Sequence, residues 1–157
     1  MTRMFIVGAV AVAMGLGDGA VAQSADPAGA ATLHDYVLTM DKLKRYDAAT
    51  QTFEAAEKTS ARLKADSADM VTEPQSTLDD IVAKFGRHRR IYRFYEKQGL
   101  TTLDTAALPM VLSYACLVNR HPQLAARMAD HVSDAQIAFC KAHSSEISAL
   151  KTFGGVR

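Results

Sequence analysis

The sequence predicts an all-α fold, a small bundle of about five helices with one disulfide, and three observations carry that expectation. Hydroxyl residues stand three positions before an acid or amide at Ser76/Asp79, Thr101/Asp104 and Ser133/Gln136, the pattern that satisfies unpaired N–H groups at a helix start. Apolar residues recur at three- and four-residue spacing along much of the chain. The chain has no tryptophan, is rich in alanine and shows little period-two alternation, all of which favour helix over sheet.

The first residues read as an export signal. Arg3 is the positive start, Met4–Leu16 the apolar stretch and Ala20-Val21-Ala22 the small-residue cleavage site, with cleavage after Ala22. The alternative is an anchor that is never cut, which the shortness of the apolar stretch disfavours. This segment, 1–22, would leave about 135 residues, the size of one domain, with a periplasmic address. A flexible lead-in is expected over 23–38 and a single helical domain over 39–157. Gln23–Thr32 is mostly small residues and proline, and Leu33–Leu38 suits either a helical turn or a short extended arm.

Thr39 then caps a long helix running to about Lys64, with Met40, Leu43, Tyr46, Ala49, Phe53 and Ala56 inward. Asp66–Gln75, with Pro74, reads as a connector. Ser76 opens a short helix with Leu78, Ile81, Val82 and Phe85 inward, ended by Gly86. The next spans roughly Arg87–Gln98, with His88, Ile91, Tyr92 and Tyr95 on one side and Gly99 as its stop.

Thr101–Asn119 is the segment around which the others are arranged. From Ala106 to Val118 only Ser113 and the Tyr114 hydroxyl are polar, so this helix is apolar on all sides. Its run is about half the ~20 residues a bilayer requires, which makes it a core helix. Pro109 predicts a kink or a broken first turn. Pro122 suits the start of a short helix over Gln123–His131. Ser133 opens the last helix, with Ile137, Cys140, Ile147 and Leu150 inward and Gly154-Gly155 as its end.

Two cysteines in an exported chain predict one disulfide, Cys116–Cys140, closing a loop of ~24 residues worth about 3 kcal/mol on the chain-entropy estimate. Two separate buried thiols are the alternative.

The runs Leu38-Thr39-Met40-Asp41-Lys42-Leu43-Lys44-Arg45-Tyr46, Gly99-Leu100-Thr101, and Ala142-His143 with Glu146-Ile147 resemble segments of uncharacterised exported α-helical proteins of Gram-negative bacteria. The resemblance implies a helical fold and a periplasmic location and assigns no site residues.

Motifs for haem attachment, zinc proteases, serine hydrolases, P-loops and EF-hands are absent from the sequence, so no catalytic residue, metal or cofactor is expected. A metal site assembled from His121, His131 and His143 is the remote alternative to ordinary histidines. The net charge of +1 does not call for nucleic acid.

The one asymmetric feature is Lys84–Lys97, where six cations face a single acid, Glu96. Arg87, Arg89, Arg90, Arg93 and Lys97 read either as a solvated face paired with the acidic Glu54–Asp80 region or as a docking face for an acidic partner or an anionic membrane surface. The function expected is a non-catalytic periplasmic binding or accessory protein, a small subunit or stabilising partner of a larger enzyme such as an oxidoreductase complex. The alternative is a carrier of a small apolar ligand or lipid, its pocket lined by Tyr92, Tyr95, Met110 and Tyr114.

Overall fold

The computed structural model of the chain describes residues 32–70 and 76–154. The expected signal peptide, the first part of the lead-in, the second half of the connector and Gly155 lie outside these residues. The described residues form eight α-helices and one 3₁₀ turn, without strands: α1 Met40–Glu57, α2 Ala61–Asp69, α3 Leu78–Arg87, α4 Arg89–Glu96, α5 Thr102–Arg120, the 3₁₀ turn Pro122–Leu124, α6 Ala125–Met128, α7 Asp134–Ala142 and α8 Ser144–Ala149. The all-α class holds. The helix number exceeds the expected five or so: the sequence reads as six helical stretches, and two of these are each split.

The first split ends α1 at Glu57. Periodicity runs on through Leu63, which is why the sequence reads as one helix, but the Ser60 side chain accepts the Leu63 N–H and starts α2. Part of the expected connector, Asp66–Asp69, is therefore helical. The second split falls at His143, which leaves helical geometry between α7 and α8. The capping box of α3 lies one residue later than expected, at Thr77 and Asp80. Gly86 falls inside α3 and does not end it. Past Pro122 the helical piece is shorter than expected and stops at Met128.

α5 is the axis. It contacts α1, α3, α4, α6 and α7, and Ala107, Leu108, Val111, Leu112 and Ala115 are fully buried. Its capping box is the expected Thr101–Asp104 pair, and the helix runs unbroken through Pro109, so the broken first turn does not occur. Proline removes only the N–H that would reach the Thr105 carbonyl. Cys116 and Cys140 form the disulfide, joining α5 to α7 with Cα atoms 5.4 Å apart.

Residues 33–38 correct the expectation of a flexible lead-in, because they are docked on the core. Tyr36 and Leu38 are buried, and Gln136 Nε2 donates to the carbonyls of Leu33, His34 and Tyr36 at 2.8, 3.1 and 2.7 Å. Gln136 thus closes its own helix start through Oε1 and holds the arm with its amide. At the other end Asp47 on α1 accepts the Thr152 N–H at 2.7 Å, and Phe153 stacks on Tyr46.

Asp104 gathers four polar contacts on its carboxylate. Its carboxylate accepts from the Tyr36 hydroxyl at 2.7 Å and from Thr101 N–H and Oγ1 at 3.0 and 2.8 Å, with Lys42 Nζ at 2.8 Å. Lys42 turns back over the Tyr36 ring. Burial alone pushes the Asp104 carboxyl up, but the hydrogen bonds from Lys42, Tyr36 and Thr101 outweigh it and hold the group well below the usual carboxylate range. A depressed folded-state pKa stabilises the fold above the unfolded value and loses that stabilisation as pH falls. Asp104→Asn is expected to cost about 2 kcal/mol at neutral pH, by weakening charged hydrogen bonds at a buried site. In urea titrations the gap between wild type and variant should narrow as pH drops below the ordinary carboxyl value of 3.8. A gap independent of pH would show that charge at Asp104 is not what holds the arm.

Candidate functional site

α4 is short and amphipathic. Ile91, Tyr92 and Tyr95 face the core, and Arg89, Arg90, Arg93 and Lys97 face solvent, the separation expected from their spacing. Gly99, with φ +74°, provides the left-handed stop that lets Leu100 turn into the core. The inner side is anchored by aromatic contacts: Tyr95 stacks on Tyr46 at 5.1 Å and meets Phe85 edge-on, and its hydroxyl lies 3.3 Å from Thr50 Oγ1. The Tyr92 hydroxyl donates to the Leu100 carbonyl at 3.1 Å. Burial raises the pKa of both phenols.

The outer side divides into paired and unpaired cations. Arg90 grips Asp66 of α2 with both prongs of its guanidinium, Nε to Oδ2 at 2.7 Å and Nη2 to Oδ1 at 3.0 Å. That hydrogen bonding lowers the Asp66 pKa and raises that of Arg90. His88, half-buried at the α3–α4 junction, sets Nε2 2.8 Å from Asp69 Oδ2. Arg89 lies 3.5 Å from Glu96 and over the Tyr92 ring. Arg87 stands close enough to Asp80 to help depress its pKa, after the hydrogen bonds from Thr77. Among the described residues, no acid pairs with Arg93 or Lys97.

Arg93 and Lys97 border an open cleft of about 280 Å³ between α2 and α4, lined by Leu63, Arg90, Arg93, Phe94 and Lys97. Phe94 is half-buried and held edge-on by Phe53, with ring centroids 5.6 Å apart. A second open cleft, of about 300 Å³, lies at the α3–α4 elbow between Asp66, Arg87, His88, Arg89 and Arg90. The five cations singled out in the sequence thus line adjoining clefts; among the described residues, Arg90–Asp66 is their ion pair with the acidic region, and Arg87 lies near Asp80. The sequence reading missed Leu63 and Phe94 as floor residues and Asp66 as the residue that fixes Arg90. Leu63 was legible as an apolar position in a helical pattern, but its facing α4 is a tertiary fact.

The tyrosines and methionine expected to line an apolar pocket line neither cleft. Tyr92 and Tyr95 are filled core positions, Met110 is half-buried on α5, and Tyr114 packs against His131 at 6.0 Å. His143 is 2.8 Å from Glu146 and packs beside Phe139, and His121 is exposed. Among the described residues no group of three or more His, Cys, Asp or Glu is placed to hold a metal ion. No described helix is long and apolar enough to cross a membrane. Compared with protein-family models, curated proteins and solved structures, the chain finds no match.

Proposed function

We propose that this chain is an exported, periplasmic accessory protein with no catalytic centre of its own, which docks onto an acidic partner through the outer side of α4. The partner would be a larger periplasmic or membrane-associated protein, an oxidoreductase complex among the candidates, for which this chain serves as a small subunit or stabiliser. One observation carries the reading: Arg93 and Lys97 stand exposed on a helix whose inner side is locked in the core, beside an apolar floor and without an acid of their own among the described residues. A rigid cationic rim around apolar surface is the composition of an interface. Tyr92 and Tyr95 are buried core positions and none of the four residues lines either cleft, which favours docking over the carrier alternative.

Affinity purification of the tagged full chain from its native periplasm tests this. A stoichiometric partner should co-purify at low salt, and at least ~90% of it should be lost with Arg93→Glu plus Lys97→Glu, since charge reversal at two rim positions disrupts electrostatic complementarity. Retention of the same partner by that variant would contradict the reading. The substitutions touch exposed side chains, so the unfolding free energy should change by no more than about 0.5 kcal/mol.

A further inference from the structure

The α2–α4 cleft has dimensions that narrow what it takes. From Arg90 to Lys97 the helix rises roughly 10 Å, which matches about three residues of extended peptide. Its volume of about 280 Å³ falls just below the ~300–1,000 Å³ typical of small-molecule sites, enough for one bulky side chain and not for a cofactor. Leu63 and Phe94 form an apolar floor, and Phe53 holds the Phe94 ring from behind. Three cations stand above it on one ridge. Arg90 is already oriented by Asp66, so it is fixed before any ligand arrives. Arg93 and Lys97, one turn apart, are the two whose charge no described acid offsets.

We infer that this cleft is a recognition pocket for a short extended acidic peptide segment of the partner, in which one apolar side chain rests on Leu63 and Phe94 while the flanking carboxylates meet Arg93 and Lys97. The inference rests on the docking reading above and specifies the chemistry of its occupant. The apolar side chain supplies burial, the carboxylates supply register and selection, and a lone acid or a lone apolar group satisfies only half the site. An anionic bilayer would use the cations alone, since the floor lies between two helices and not at the crest of one.

The test is an NMR titration of the ¹⁵N-labelled full chain with three acetylated, amidated peptides: Glu-Leu-Glu, Glu-Ser-Glu and Lys-Leu-Lys. Glu-Leu-Glu should give saturable shifts confined to α2 and α4 around Leu63 and Phe94. Glu-Ser-Glu should bind about tenfold more weakly, because the floor loses its apolar contact, and Lys-Leu-Lys should give no saturable shifts. Arg93→Gln plus Lys97→Gln should weaken Glu-Leu-Glu by about tenfold while leaving shifts elsewhere unchanged, as expected for removal of two charge-assisted contacts. Equal binding of Glu-Leu-Glu and Glu-Ser-Glu would overturn the inference. So would shifts on the same face with phosphatidylglycerol vesicles but not with the peptides. If the peptides fail while the partner is still lost from the Arg93→Glu, Lys97→Glu variant, the pocket is wrong and the docking face stands. If both fail, both fall.

Discussion

Leu108→Ala is expected to lower the unfolding free energy by about 3–4 kcal/mol, the middle of the range for leucine truncations at fully buried sites. Leu108 has no solvent exposure and lies on the helix that contacts α1, α3, α4, α6 and α7. No single neighbour can collapse into the vacated space without leaving its own contacts, so the cavity persists and both transfer and cavity costs are incurred. The substitution leaves helix propensity slightly improved, which isolates packing as the cause. Urea unfolding should show a lower midpoint with the slope unchanged, since the surface exposed on unfolding is nearly the same. A loss below about 1 kcal/mol would mean that α5 is not where the packing energy is concentrated.

Cys116→Ala plus Cys140→Ala should cost about 3 kcal/mol by a different route. The crosslink closes a loop with a sequence separation of 24, and the cost of opening it falls mainly on the unfolded chain, which gains conformations. The expected fall in melting temperature is roughly 10 °C for a chain of this size. Unlike Leu108→Ala, this variant should show a steeper urea slope, because an uncrosslinked unfolded state exposes more surface. Both sulfurs are buried, so part of the loss is packing. Comparison with the dithiothreitol-reduced wild type separates that part from the crosslink. The two sites lie eight residues apart on α5, about 12 Å along its axis, so their effects should add within about 0.5 kcal/mol. An unchanged slope and midpoint would remove the disulfide from the account.

What was legible followed from local chemistry. The Thr101–Asp104 and Ser133–Gln136 starts, the Gly99 stop and the inward residues of α4 depend on neighbours within one turn, and the structure places them as read. The Cys116–Cys140 pair was legible because two cysteines leave only one pairing. Ser76 and Thr77 each have an aspartate three residues on, and only the fold selects Thr77. The division of α1 from α2 was obscured because apolar spacing continues across it, and a capping serine inside a periodic run is a weak signal against that pattern.

The remaining differences are long-range. Gln136 reads as a helix cap, yet its amide reaches about a hundred residues back to hold the arm at Leu33–Tyr36. Lys42 reads as a surface residue until Asp104 lies beside it. Of the candidate site, the cations of α4 were legible from composition. The apolar floor and the Arg90–Asp66 clamp were not, because both depend on α2 lying against α4.

Residue-resolved hydrogen exchange tests most directly whether the fold is organised around α5 with α4 held rigidly against it. Amides of α5 from Ala106 to Val118 should be the slowest to exchange, opening only with global unfolding, and those of Ile91–Tyr95 should come close to them. If the α5 amides instead exchange as fast as the exposed stretch from Pro122 to His131, the buried helix does not carry the fold and the cationic side of α4 has no rigid support.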